Sequence, residues 1–89
     1  MSPEAWTLPW EEAREGLLVH RDRRVVYLNP AAAELLAVDR EKVRGLPLIL
    51  ALRDHRLEAL ALKGGEAVLE VRGRVLAARA RPGLHYLLD

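Results

Sequence analysis

Short apolar runs alternate with charged turns along this chain. "LLVH" (17–20) and "RVVYL" (24–28) are rich in β-branched and aromatic residues and flank the polar turn Arg21-Asp22-Arg23, which predicts two paired strands. Strand 24–28 is apolar on both faces, so each face needs cover. It stops at Asn29-Pro30. An asparagine there caps a helix, and proline suits the first helical position because its missing N–H would be unpaired in any case. "AAAELLAV" forms the helix body, with Ala32, Leu35 and Leu36 at core spacing. Asp39 predicts a second N-cap, for a short turn of helix through Val43 closed by Gly45. "LPLILAL" (46–52) is continuously apolar; its place between two helices predicts a buried helical turn. Asp54 is a third N-cap, opening "HRLEALAL" with Leu57, Leu60 and Ala61 on one face and Lys63-Gly64-Gly65 at its end.

From Glu66 the texture changes to three strands with two turn signals. Arg72-Gly73 suits a two-residue hairpin turn, and Pro82-Gly83 is a type II pair. The front of the chain reads as a short helix over Pro9–Glu15, with Glu11 and Glu12 placed to complement the helix dipole. The order is helix, two strands, several short helices, three strands. It predicts an α+β domain: a five-stranded antiparallel sheet with a helical insert between strands 2 and 3 that covers one face, preceded by a short N-terminal helix.

Composition narrows the function classes. A chain of 89 residues makes one domain, divided here into an N-terminal helical cap (1–16) and a body (17–89). There is no cysteine, hence no disulfide, thiolate metal site or flavin-reactive thiol. The net charge of +1 is made of both signs spread along the chain, not the clustered basic face of a nucleic-acid platform. No apolar run approaches a membrane span, and acidic residues stand where a signal peptide would be basic, so no membrane contact and a cytoplasmic location are expected. Arginine far outnumbers lysine, glutamine is absent and asparagine occurs once, which fits a thermophilic bacterium, although GC-rich coding gives the same arginine, leucine and alanine bias.

The element order and the segment "VVYLNPAAAELL" resemble the PAS domain, whose hairpin commonly ends in Asn-x-Ala-Ala before a helical insert and three strands. The matching residues are Asn29, Ala31 and Ala32. "RGLPLILALRDHRLEAL" followed by "VLEVRGRVLAAR" looks like the short PAS domain of phosphate-type sensor histidine kinases, through Gly45-Leu46-Pro47-Leu48 and the pair Arg53-Asp54. Asp89 stands where many PAS domains carry the aspartate of an exit motif. The resemblance covers about residues 12–89 and implies a regulatory sensor and dimerisation domain, a fragment of a longer bacterial sensor histidine kinase. Its partners would be a second copy in a homodimer and downstream kinase domains. The resemblance also implies an interior that either binds a ligand or only transmits; Val25, Tyr27, Leu36, Leu50, Leu57, Leu60, Val71 and Leu76 are the candidate lining.

No residue set predicts catalysis within the segment. The acidic residues fit caps, turns and helix faces, and neither Ser2 nor Thr7 has the histidine and carboxylate context of an activated nucleophile. Gly64-Gly65 lacks the Gly-Lys-Ser/Thr ending of a phosphate loop and reads as a helix terminus. His20, beside a turn, reads as exposed, and His85 as structural or solvent-facing. No cofactor is expected. The alternative is a haem- or metabolite-binding sensor, because haem-binding PAS domains use a histidine on the helix where His55 lies; here that residue reads as an exposed helix start. Large aromatics near a terminus pack on something or mark an interface, so Trp6, Leu8, Trp10 and Leu17 are predicted to cover the sheet face opposite the insert, within one subunit or across a dimer.

Overall fold

A computed structural model describes residues 8–81 and the backbone of 84–88. The elements in chain order are α1 (Leu8–Glu11), β1 (Gly16–Arg21), β2 (Arg24–Leu28), α2 (Pro30–Leu36), α3 (Arg40–Val43), α4 (Leu48–Leu52), α5 (His55–Lys63), β3 (Gly65–Val71), β4 (Arg74–Arg81) and β5 (Leu84–Leu88). This is an α+β domain built on one antiparallel sheet with the strand order β2-β1-β5-β4-β3. The first and last strands are neighbours near the middle, and β2 and β3 form the two edges. The helical insert therefore has to carry the chain from one edge to the other, about 19 Å across four strand spacings.

Local chemistry starts and stops these elements. Asn29, Asp39 and Asp54 each cap the helix that follows, their side chains accepting from the N–H groups of Ala32, of Glu41 and Lys42, and of Arg56 and Leu57. At the β1–β2 turn, Asp22 and Arg23 have φ of 53° and 62°; at the β3–β4 turn, Arg72 and Gly73 have 49° and 80°. Two consecutive left-handed residues make the hairpin turn whose twist matches that of the strands. The Pro82-Gly83 turn lies outside the described residues.

Two features depart from the sequence expectation. The N-terminal helix is a single turn, not Pro9–Glu15. The Trp10 carbonyl accepts a tighter turn bond from the Ala13 N–H at 3.3 Å and also accepts from the Asn29 side chain, as does the Glu15 carbonyl. Strand β2 is not covered on both faces along its whole length: the pairing with β1 shifts register between Val19 and His20, and Val26 is exposed. A register shift of this kind lets one extra residue leave the alternation. Helix α4 has no side-chain cap. Its first N–H, from Leu48, donates to the Arg23 carbonyl at 2.7 Å, and a bridge pairs Arg24 with Pro47, so the β1–β2 turn supplies the missing cap.

The core lies between the sheet and the insert. Leu18, Val25, Leu28, Ala32, Leu36, Leu48, Leu52, Leu57, Val71 and Leu76 are buried in one cluster with Ala51, Ala61 and Ala78. The alanine run of α2 has a packing reason. A Cβ placed on Gly16 would meet the Ala32 Cα at 2.8 Å, so the helix backbone lies almost directly on the start of β1. Only small residues allow that approach.

Candidate interior pocket and outer sheet face

Six of the eight residues predicted to line the interior lie in or against the core beneath the insert. Val25, Leu36, Leu57, Val71 and Leu76 belong to the buried cluster, and Leu60 is partly buried against it. The other two do not belong there. Leu50 is 52 % exposed on α4, because its neighbours Leu48, Ala51 and Leu52 take the buried side of that turn. Tyr27 is buried outside the cluster; its hydroxyl donates to the Glu11 carboxylate of α1. A cleft of about 390 Å³ opens elsewhere, between residues 11–14 and α2, with Glu12, Arg14, Glu34 and Arg74 among its charged walls.

The N-terminal segment is held to β1, β2 and α2 by two polar devices. The first is Asn29, the one asparagine of the chain and fully buried. Its Oδ1 accepts from the N–H groups of Leu17 and Ala32, both at 2.9 Å, and its Nδ2 donates to the carbonyls of Trp10 and Glu15, also at 2.9 Å. All four hydrogen-bonding positions of the amide are used. One side chain thus joins the cap, β1 and the start of α2. The sequence pointed only to its cap role, because the partners of the other bonds lie 12 to 19 residues away.

The second device is Glu11 with Tyr27 and Arg40. Arg40 donates from both terminal nitrogens to Glu11, at 3.1 and 2.9 Å, and from Nε to the Leu28 carbonyl at 2.7 Å. Its guanidinium also lies 5.9 Å from the Tyr27 ring centre, within the range of a cation–π contact. The Tyr27 hydroxyl, and then Arg40, hold the Glu11 carboxyl below the usual carboxylate range although burial pushes it up. Burial, and then the Glu11 hydrogen bond, push the Tyr27 hydroxyl well above its ordinary value. The predicted interface residues separate accordingly. Leu8 is exposed, Trp10 is half-buried, and Leu17 is buried within the subunit and unavailable to a partner. Trp6 lies outside the described residues.

The sheet face opposite the insert differs along its width. On β3 and β4 the side chains alternate. Ala67, Leu69, Leu76 and Ala78 turn toward the helices, while Glu66, Val68, Glu70, Val75, Ala77 and Arg79 turn away. Val68, 71 % exposed, pairs with Ala77, and Glu70 pairs with Val75. The result is a short apolar stripe bordered by charges of both signs.

The remaining polar residues serve structure. Asp54 is held below the usual carboxylate range by Arg56 first, with burial acting against it and the N–H groups of Leu57 and Arg56 reinforcing it. Arg53 and Arg72 both donate to the Leu36 carbonyl, and Arg72 also reaches the carbonyls of Leu52 and Arg53. These cations close the C-terminal ends of α2 and α4, where the helix dipole favours positive charge. No group of three or more potential metal ligands occurs among the described residues. The His55 side chain is 93 % exposed and close to Glu58, so it does not face the interior where a haem would be enclosed. His20 is not exposed as the sequence suggested; it is buried on β1. The side chain of His85 and the whole of Asp89 lie outside the described residues. No described helix is long and apolar enough to cross a membrane.

No family profile and no curated protein matches the sequence. Solved structures do match in fold. A domain of the sensory box sensor histidine kinase/response regulator of Geobacter sulfurreducens superposes with a TM-score of 0.55 at 18 % identity, over 97 % of this chain and 92 % of that one. The photoactive yellow protein domain of the sensor histidine kinase Ppr of Rhodospirillum centenum gives 0.55 at 14 % identity, covering 91 % and 88 %. The PAS domain of nitrogen regulation protein NR(II) of Vibrio parahaemolyticus gives 0.50 at 20 % identity, covering 98 % and 94 %. The agreement spans nearly the whole of each chain and includes the sheet and its helical insert: this chain has the fold of a PAS domain.

Proposed function

We propose that this chain is a regulatory sensor module that passes a conformational bias to a kinase output and performs no catalysis of its own. The observation that carries the reading is the asymmetric sheet. One side of the domain is sealed by leucines under the insert, and the opposite side offers the Val68–Val75–Ala77 stripe on β3 and β4. Its similarity to domains of sensor histidine kinases supports the signalling role. The stripe supports homodimerisation: two copies laid face to face would bury the valines.

Two measurements test the proposal. Sedimentation at micromolar concentration should give twice the 10.0 kDa mass of the monomer, and Val68→Glu should return it to the monomer. A monomeric mass at every concentration removes the dimer. Fused to a histidine kinase core, the domain should set the autophosphorylation rate, and Val68→Glu should change that rate. A rate indifferent to both the domain and the substitution removes the signalling role. A haem-binding reading has no geometric support, since His55 points to solvent; a Soret band in the purified protein would reopen it.

A further inference from the structure

The two edges of the sheet differ. The outer edge of β2 is closed by the insert: the Val25 N–H donates to the Leu46 carbonyl at 2.9 Å, the Gly45 N–H donates to the Val25 carbonyl at 2.8 Å, and the Leu48 N–H donates to the Arg23 carbonyl. Beyond β3 no strand pairs among the described residues. Its seven residues, Gly65–Val71, pair with β4 in unbroken register, without a proline. A regular edge is a template for another strand, and edges are ordinarily blunted by shortness, proline, a bulge, a covering segment or charge. Of these β3 carries charge, on Glu66 and Glu70, and one local cover, from Arg56.

The register fixes which backbone groups face outward. The two-residue turn Arg72-Gly73 makes Val71 and Arg74 a pair that exchanges both hydrogen bonds. Bonding then alternates, so Leu69, Ala67 and Gly65 bond to β4, while the N–H and C=O groups of Glu66, Val68 and Glu70 point away from it. The Arg56 guanidinium agrees with that direction: it donates to the Glu70 carbonyl at 2.7 Å from α5. The other outward groups bond to no described element: the three N–H groups and the carbonyls of Glu66 and Val68. The side chains of the same three residues are exposed on the face away from the helices. Across the ladder Glu66 faces Arg79, and Glu70 faces Val75. The edge thus presents carboxylates on either side of one valine.

We propose that the β3 edge receives an extended segment of a partner protein in which cations stand two residues to either side of an apolar residue. Laid along β3 as a further strand, that segment sets its apolar side chain beside Val68 and its cations beside Glu66 and Glu70. Main-chain hydrogen bonds to the outward groups supply the affinity, and the side chains supply the selection. The same charges turn away a second copy. Two β3 edges in full antiparallel overlap set Val68 against Val68 and Glu66 against Glu70 of the other copy, and like charges directly opposite are unfavourable. Sliding by two residues relieves this only by setting Val68 against a glutamate over a shorter ladder. The added strand lies beside the Val68–Val75–Ala77 stripe, not over it, so the edge and the proposed dimer face are separate surfaces.

The test uses the 89-residue chain and two capped synthetic peptides matched in length to β3, Thr-Lys-Thr-Val-Thr-Lys-Thr and Thr-Glu-Thr-Val-Thr-Glu-Thr, with binding read by amide shifts and amide exchange. The lysine peptide should protect the amides of Glu66, Val68 and Glu70 and change little at Ala67 and Leu69, which already bond to β4. The glutamate peptide should bind about tenfold more weakly or worse. In the double variant Glu66→Lys/Glu70→Lys, both positions being exposed, that preference should reverse. The comparison of the two peptides on the wild type stands without any variant. Absence of the alternating protection at millimolar lysine peptide, or equal binding of the two peptides, overturns the proposal. Alternating protection that rises with protein concentration without peptide would put a second copy on the edge and overturns it as well. None of these outcomes bears on the sensor reading, which the kinase fusion tests by other means.

Discussion

The two halves of the sheet solve the same problem in different ways. On β1 and β2 the face away from the insert is closed by the N-terminal segment, and the closure is polar: the Asn29 amide and the Glu11–Tyr27–Arg40 group. On β3 and β4 the equivalent face is more open among the described residues: Glu15 reaches Arg79, while Val68, Val75 and Ala77 are exposed to solvent. One half is directional, with bonds that fix a single arrangement of the cap. The other is non-directional, a surface that any apolar partner of the right shape can cover. If the proposed dimer forms, the domain keeps the contact that holds its own N-terminus apart from the one that meets a partner.

The contrast can be broken from the polar side. Asn29→Leu should be the most damaging change. It strands the Leu17 N–H and the Glu15 carbonyl, takes one of two partners from the Trp10 carbonyl and removes the α2 cap, a loss of about 4 kcal/mol in chemical denaturation. A loss below about 1 kcal/mol would mean that water or backbone rearrangement replaces the amide. Gly16→Ala should follow, at about 1–3 kcal/mol, because the new methyl meets the Ala32 backbone. Ala32→Gly should not rescue it, since the clash is with Cα as well as Cβ.

Glu11→Gln should cost less than about 1 kcal/mol at neutral pH, because Glu11 and Arg40 are each about a third exposed and solvent screens the pair. Its signature is the pH profile. The folded Glu11 carboxyl is depressed, so its contribution is present above the ordinary glutamate range and disappears as pH falls through the folded value. The wild type should lose the difference between pH 6 and pH 3, measured by denaturant midpoint, and the variant should lack that component. The smallest effect belongs to the more open half: Val75→Thr should move monomer stability by no more than about 0.5 kcal/mol. A larger change at dilution would show that the stripe is packed within the subunit.

What could be read from the residues was what their near neighbours decide. Asn29, Asp39 and Asp54 cap helices through bonds two or three residues away, and the Arg72-Gly73 turn depends on its own φ values, so these were legible; the first turn is Asp22-Arg23, one residue shorter than expected. The α+β order and the apolar cluster of Leu36, Leu57 and Leu76 were legible for the same reason: spacing sets which face a side chain takes. Leu50 was not, because a five-residue helix inside a continuous apolar run gives no period to distinguish its outer side. Tyr27 and His20 were misplaced because a strand's own sequence does not show what packs on it; for Tyr27 the partner is the distant Glu11. Of the two alternatives expected for Leu17, packing within the subunit or across a dimer, its burial fits the first.

The borrowed cap of α4 carries a consequence for how the domain assembles. Its first amide is satisfied by the Arg23 carbonyl, on a turn that precedes it by more than twenty residues. A peptide cut from Val38 to Gly64 would keep the start of α5, whose aspartate travels with it, but should lose the turn Leu48–Leu52. The first hairpin must therefore form before the middle of the roof can settle. Changes to the tip of that hairpin will be felt in a helix that never follows it directly in the chain.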